Sequence, residues 1–89
     1  MAYAFRYRGE ARTELRRRSQ RVRRLIADRV RALTANPEPV DSQPLTGEWE
    51  GYRRIHVLGT LRIIYEVDHR AQTISIVKIG GRGTVYKRR

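Results

Sequence analysis

Five side chains of this 89-residue sequence stand out for the chemistry they could do together: Arg54, His56, Arg62, Arg82 and Tyr86. An imidazole is the side chain best able to take and return a proton near neutral pH. Guanidinium groups hold phosphate with paired N–H donors, and a phenol can stack on a base or bond a phosphate. The set contains no carboxylate pair, no nucleophilic Ser or Cys and no metal site. A phosphodiester with a neighbouring 2′-OH needs none of these. The hydroxyl supplies the nucleophile, and the protein supplies a base, an acid and cations for the developing charge. RNA cleavage without a metal or other cofactor is the reaction this inventory permits. Arg53, Lys78 and Lys87 are read as further RNA-binding cations.

These residues need a scaffold that brings them to one face, and the hydrophobic periodicity supplies one. Tyr3 to Tyr7 alternate as a first strand that Gly9 breaks. From Glu10 to Ala35 the apolar residues Ala11, Leu15, Val22, Leu25, Ile26, Val30 and Leu33 recur at helical spacing. Ser19 can cap a helix, so the spacing predicts two helices, Glu10–Arg18 and Ser19–Ala35, stopped by Asn36 and Pro37. The proline-containing stretch after them reads as a connector inside one domain. Tyr52–Leu58 and Leu61–Val67 flank a turn at Gly59 and Thr60, and Thr73–Ile79 follows as a strand rich in β-branched residues. Gly80, Gly81 and Gly83 are expected to loosen the backbone before a short extended end, Thr84–Lys87. The fold expected is α+β: an N-terminal strand, a two-helix hairpin, then an antiparallel meander with the helices on one sheet face.

Alternation within strands sorts the side chains. Ile55 and Val57 face the core, while Tyr52, Arg54 and His56 share the other side. Leu61, Ile63, Tyr65 and Val67 form the apolar row, with Arg62, Ile64 and Glu66 opposite. Antiparallel pairing would bring Arg54, His56 and Arg62 together, and Arg82 and Tyr86 could fold over the same side.

Composition bounds the partners. Twenty Lys plus Arg against nine Asp plus Glu give a formal net charge of +11, which calls for a negative partner. Nucleic acid or an acidic protein segment fits that sign. Cysteine is absent, so neither disulfides nor thiolate metal sites enter. No segment reads as a signal peptide or a membrane span, and a cytoplasmic location is expected. The helical run Arg16, Arg17, Arg18, Arg21, Arg23 and Arg24 reads as a solvated face that could also touch RNA or an acidic protein segment.

Several pieces, in order, resemble the RelE/ParE superfamily of toxin–antitoxin toxins, and the RelE branch most. They are Leu45-Thr46-Gly47, Gly51, Arg53-Arg54-Ile55-His56-Val57, Gly59-Thr60-Leu61-Arg62-Ile63-Ile64-Tyr65 and Ile79-Gly80-Gly81-Arg82-Gly83-Thr84-Val85-Tyr86. The resemblance implies a ribosome-dependent mRNA endonuclease held silent by an antitoxin, with which it forms a hetero-oligomer. It also implies roles: His56, with Arg54, as general base; Arg62 as phosphate clamp; Arg82 as charge stabiliser or acid; Tyr86 as stacking platform. His56 stands where the family often has Lys or Arg, and Gly81 and Gly83 replace larger residues beside Arg82. The competing readings are a ParE-like toxin of DNA gyrase and a non-catalytic RNA-binding homologue. Against the chemical set stand blander assignments: His69 as a solvent-exposed turn residue, Tyr65 and Trp49 as packing residues.

Overall fold

A computed structural model of the chain describes residues 2–81 and Val85. Its elements are β1 (Ala4–Tyr7), α1 (Gly9–Arg17), α2 (Gln20–Ala35), β2 (Gln43–Pro44), a short 3-10 helix (Gly47–Trp49), β3 (Tyr52–Val57), β4 (Leu61–Asp68) and β5 (Thr73–Gly81). The five strands form one sheet in the order β1-β5-β4-β3-β2. β1 runs parallel to β5, and the other pairings are antiparallel. The α+β expectation of strand, two helices and antiparallel meander therefore holds.

The two helices are divided where Ser19 caps α2: its hydroxyl accepts from the Val22 N–H at 3.2 Å, satisfying one of the free amides of the first turn. Ala11, Ile26, Val30 and Leu33 present the buried stripe of the helices. They pack on Ile55, Val57, Leu61, Ile63, Tyr65, Ile74, Ile76 and Ile79 in a single cluster. β4 has the apolar row predicted for it, and Ile64, on its other side, is also fully buried. Val85 is buried as well.

β5 carries a parity problem. Ile74 and Ile76 are even-numbered and Ile79 is odd, yet all three belong to the core. A regular strand would send Ile79 to the opposite face. The register shifts between Ile64 and Tyr65: Tyr65 pairs with Ile76, and Ile64 with Lys78. Val77 is the extra residue of this β-bulge. It restores Ile79 to the core and turns Lys78 and Gly80 to the face opposite the helices.

Three local expectations change. β5 continues through Gly80 and Gly81 and does not loosen there, because both remain paired, to Arg62 and Leu61. The β3–β4 turn includes Leu58 as well as Gly59, both with positive φ (59° and 74°). The connector contains an edge strand, β2, paired to Arg53 and Arg54. Of the expected extended end Thr84–Lys87, only Val85 lies among the described residues. Its N–H donates to the Gly81 carbonyl at 2.9 Å.

Leu58 generates a stability prediction. A left-handed conformation costs a non-glycine residue roughly 1–2 kcal/mol, and this side chain is half exposed, so it loses little packing. Leu58→Gly is expected to stabilise the chain by about 0.5 kcal/mol after the entropic cost of glycine is subtracted. Urea denaturation checks this, and a lower midpoint at unchanged slope would contradict it.

Candidate nucleic-acid interface on the open sheet face

The sheet face away from the core cluster holds two rows of paired positions. One row is Gln43, Arg54, Ile64 and Lys78; the next is His56, Arg62 and Gly80. His56 and Arg62 are direct cross-strand partners, so their Cβ atoms lie roughly 5 Å apart. Arg54 is two residues from His56 on the same strand and face. Gly80 beside Arg62 adds no side chain to this corner.

The cluster is held by neighbours. The Arg54 guanidinium donates to the Gln43 side-chain oxygen on β2. From α2, Arg29 Nε donates to the His56 carbonyl at 3.3 Å, while its Nη2 meets Asp41 at 2.9 Å. That bridge ties the end of β3 to helix and connector. Arg62 is less satisfied: its Nε is shielded from solvent and, among the described residues, meets no hydrogen-bond partner. Leaving such a donor unpaired costs on the order of 1–3 kcal/mol, an expense a bound anion would remove.

His56 titrates below its ordinary value. Loss of water around the ring is the largest cause, followed by repulsion from Arg62, Arg54 and Arg29, with Asp41 opposing. The imidazole is therefore neutral at neutral pH. A neutral ring beside guanidinium groups can accept a proton next to a bound anion. Among the described residues, no group of three His, Cys, Asp or Glu side chains could hold a metal ion.

The other expected positions fall differently. Arg53 lies on the helix side of β3, where Nε and Nη2 donate to the Ser42 hydroxyl at 3.1 and 2.8 Å. Ser42 in turn donates to the Pro39 carbonyl at 2.8 Å, and the Tyr65 phenol donates to that of Pro37 at 2.7 Å. Arg53 thus secures the connector and is not brought together with Arg54 and His56. Lys78 shares the face of Arg54 and His56, but its ammonium meets Glu10 at 3.1 Å and lies 6.0 Å from the Trp49 ring centroid. Arg82, Tyr86 and Lys87 lie outside the described residues.

Sequence reasoning missed two positioning residues. Nothing in the helical pattern marks Arg29 out from the other arginines of α2. His69 is exposed, as read, but its Nε2 meets Glu38 at 2.9 Å and its Nδ1 meets the Tyr3 hydroxyl at 2.7 Å. It joins the N-terminal segment, the connector and the β4–β5 turn. Neither role has a local sequence signal, since each partner is distant in the chain.

Comparison with known proteins bears on the family and the fold. Residues 5–86 match the family model described as ParE toxin of type II toxin-antitoxin system, parDE. No curated protein matches the sequence. A chain of the toxin–antitoxin complex RelBE2 from Mycobacterium tuberculosis superposes with a TM-score of 0.80 at 24% identity, covering 92% of this chain and 100% of that one. A chain of the archaeal RelE–RelB complex from Pyrococcus horikoshii gives 0.78 at 26%, covering 94% and 99%. The YoeB/ParE toxin from Agrobacterium tumefaciens gives 0.78 at 18%, covering 89% and 98%.

The electrostatics of this corner are measurable directly. An NMR titration is expected to place the His56 midpoint below the ordinary 6.5. Arg62→Ala, which removes a repelling charge, should raise the midpoint. Asp41→Asn, which removes the opposing carboxylate, should lower it further. A His56 midpoint at or above 6.5 would contradict the arrangement.

Proposed function

The chain belongs to the ParE toxin family of type II toxin–antitoxin systems, within the RelE/ParE superfamily, and we propose that it acts as an endoribonuclease, cutting mRNA on the ribosome. The observation carrying this reading is the corner of Arg54, His56 and Arg62, with an imidazole kept neutral beside an unsatisfied guanidinium donor.

In the proposed reaction a phosphate seats against Arg62 and Arg54. His56 takes the proton of the adjacent 2′-OH, whose oxygen attacks phosphorus. A 2′-O–P bond forms and the P–5′-O bond breaks, leaving a 2′,3′-cyclic phosphate and a 5′-OH. The departing oxygen takes up one proton, a role assigned here to Arg82 or to His56 after it is charged. The guanidinium groups stabilise charge on the non-bridging oxygens. Tyr86 would stack on a neighbouring base, and Lys87 would add a phosphate contact. Every step is met by groups of the chain and the substrate, so the reaction proposed requires no metal.

The partners follow from charge. An antitoxin with an acidic or amphipathic segment would cover the basic surface and keep the enzyme silent; the M. tuberculosis, P. horikoshii and E. coli neighbours are themselves toxin–antitoxin complexes. Translating ribosomes place the proposed action in the cytoplasm, and among the described residues no helix is long and apolar enough to cross a membrane. The matched family description favours a second reading, a ParE-like toxin of DNA gyrase.

Induced expression followed by mapping of mRNA 5′ ends separates these readings. Codon-phased cuts are expected, and His56→Ala should reduce them by about 10²-fold or more. In a purified system the rate should rise with pH through a midpoint below 6.5, because the proton must be off His56, and level off towards neutrality. DNA-damage signalling with intact mRNA would establish the gyrase reading and sink this one. Cutting unaffected by His56→Ala would remove that residue as the base.

A further inference from the structure

On the sheet face of the cation corner, but toward the β4–β5 turn, lies a cavity that the reaction above does not use. It measures about 380 Å³, with Arg6 and Arg8 on one rim, Glu66 and Asp68 on the other, and Thr73 and Ser75 between them. Strand pairing builds it. Arg6 stands beside Ser75 and Ser75 beside Glu66; in the next row Ala4 stands beside Thr73 and Thr73 beside Asp68. The cations thus come from β1 and its end, the hydroxyls from β5 and the carboxylates from β4. Ala4 adds only a methyl group to its row, which leaves room above Thr73. The fold leaves several of these groups available. Ser75 is buried, at 7% exposure, and its hydroxyl meets no hydrogen-bond partner among the described residues. Arg6 has no ion pair among them, and Arg8 meets Glu66 only at 3.6 Å, beyond hydrogen-bond reach. Asp68 is held in position, because its Oδ1 accepts from the Arg70 and Ala71 N–H groups at 3.1 and 3.0 Å.

We infer that this cavity binds a small zwitterion, an α-amino acid with a polar side chain, its carboxylate held by Arg6 and Ser75 and its ammonium by Glu66 and Asp68. A ligand that is only anionic would meet two carboxylates. One that is only cationic would meet two guanidinium groups, in a chain of formal charge +11. A molecule carrying both signs satisfies both rims with charge-assisted hydrogen bonds, which are the strong ones. The spacing suits it. Neighbouring strands lie about 4.8 Å apart, so the Arg6 and Glu66 backbones are separated by roughly 10 Å. Two long side chains leaning inward cover most of that span. The gap left between their tips matches the single carbon that separates ammonium from carboxylate in an α-amino acid. Ser75 lies midway and would donate to the carboxylate, gaining the partner it lacks. A nucleotide is served less well, since the described lining residues include no Phe, Tyr or Trp on which a base could stack. Only Val67 among them is apolar, so a polar ligand side chain is favoured over an apolar one.

Isothermal titration calorimetry of the full chain with L-glutamine, L-serine and L-leucine tests this. Saturable binding of glutamine or serine is expected, tighter than that of leucine by about tenfold or more. Capping either charge, as in N-acetylglutamine or glutaminamide, should weaken binding by a similar factor. Arg6→Ala and Glu66→Gln should each do the same, because each removes a hydrogen bond to a charged group. Both positions lie on the sheet surface, away from the core cluster, and an unchanged melting temperature would show that the variants remain folded. Absence of saturable binding by all three amino acids would overturn the assignment. So would binding that survives capping of either charge, binding unaffected by both substitutions, or tighter binding of a mononucleotide such as GMP. The titration is independent of whether the chain cleaves RNA, so the endoribonuclease reading stands or falls separately.

Discussion

Everything in this fold hangs on β4, because it is paired on both sides and buried on both faces. Leu61, Ile63 and Tyr65 face the helices, while Ile64 is fully buried on the other side. A strand so covered cannot slip by one residue without exchanging an arginine for an isoleucine in the core. Arg62 therefore has one position open to it, and pairing across the β3–β4 turn fixes His56 opposite. On the other side, β5 fits this register only with Val77 set out of line. That bulge lets three isoleucines share the core and turns Gly80 to the opposite face beside Arg62. Core packing and the placing of the cations are consequences of a single alignment.

The same alignment creates an electrostatic conflict. Arg54, Arg62 and His56 converge on one side of a chain with a formal charge of +11. Most of the acidic residues do not relieve it. Glu14 pairs with Arg17 and Arg18, and Asp28 with Arg31, along the helices. Glu38 lies against His69, and Asp41, bonded to Arg29, only partly offsets the cations around His56. Such exposed pairs contribute little to stability, so their effect is to distribute charge. The core supplies the stability that tolerates this convergence of cations. An anion bound there would stabilise the folded state by linkage, which also gives an acidic antitoxin segment a physical reason to bind tightly.

The sequence disclosed those features set by short-range periodicity. Alternation placed Ile55 and Val57 inward and Arg54 and His56 outward, and Ser19 marked the division between the helices. It failed where partners are far apart along the chain. Arg53 looks like its neighbour Arg54, and only the return of the connector past β3 reveals that Ser42 waits for it. Arg29 has the spacing of any helical arginine, yet it secures the His56 carbonyl. His69 reads as a turn residue, and the two groups it joins come from opposite ends of the first forty residues. The bulge is legible in hindsight from the even, even, odd order of Ile74, Ile76 and Ile79. A strand of β-branched residues does not announce where its alternation breaks. Trp49 was assigned to packing, and its contacts with Tyr52 and Lys78 fit that reading.

Family membership alone does not choose between acting on RNA and acting on another target, since one scaffold can carry either activity. The choice has to come from groups that only one activity needs. A surface that merely docks on an anion is best served by permanent charge, and a second arginine at position 56 would serve better than a histidine. An imidazole there is the worst cation available, because loss of water around the ring and, after it, repulsion from the guanidinium groups lower its pKa. The same shift keeps it in the unprotonated form that a general base needs at neutral pH. Once a phosphate is bound, its negative charge would offset that repulsion and help His56 hold the proton it has taken. In the proposed reaction the ligand therefore supplies the change in charge that shifts the base from releasing a proton to retaining one.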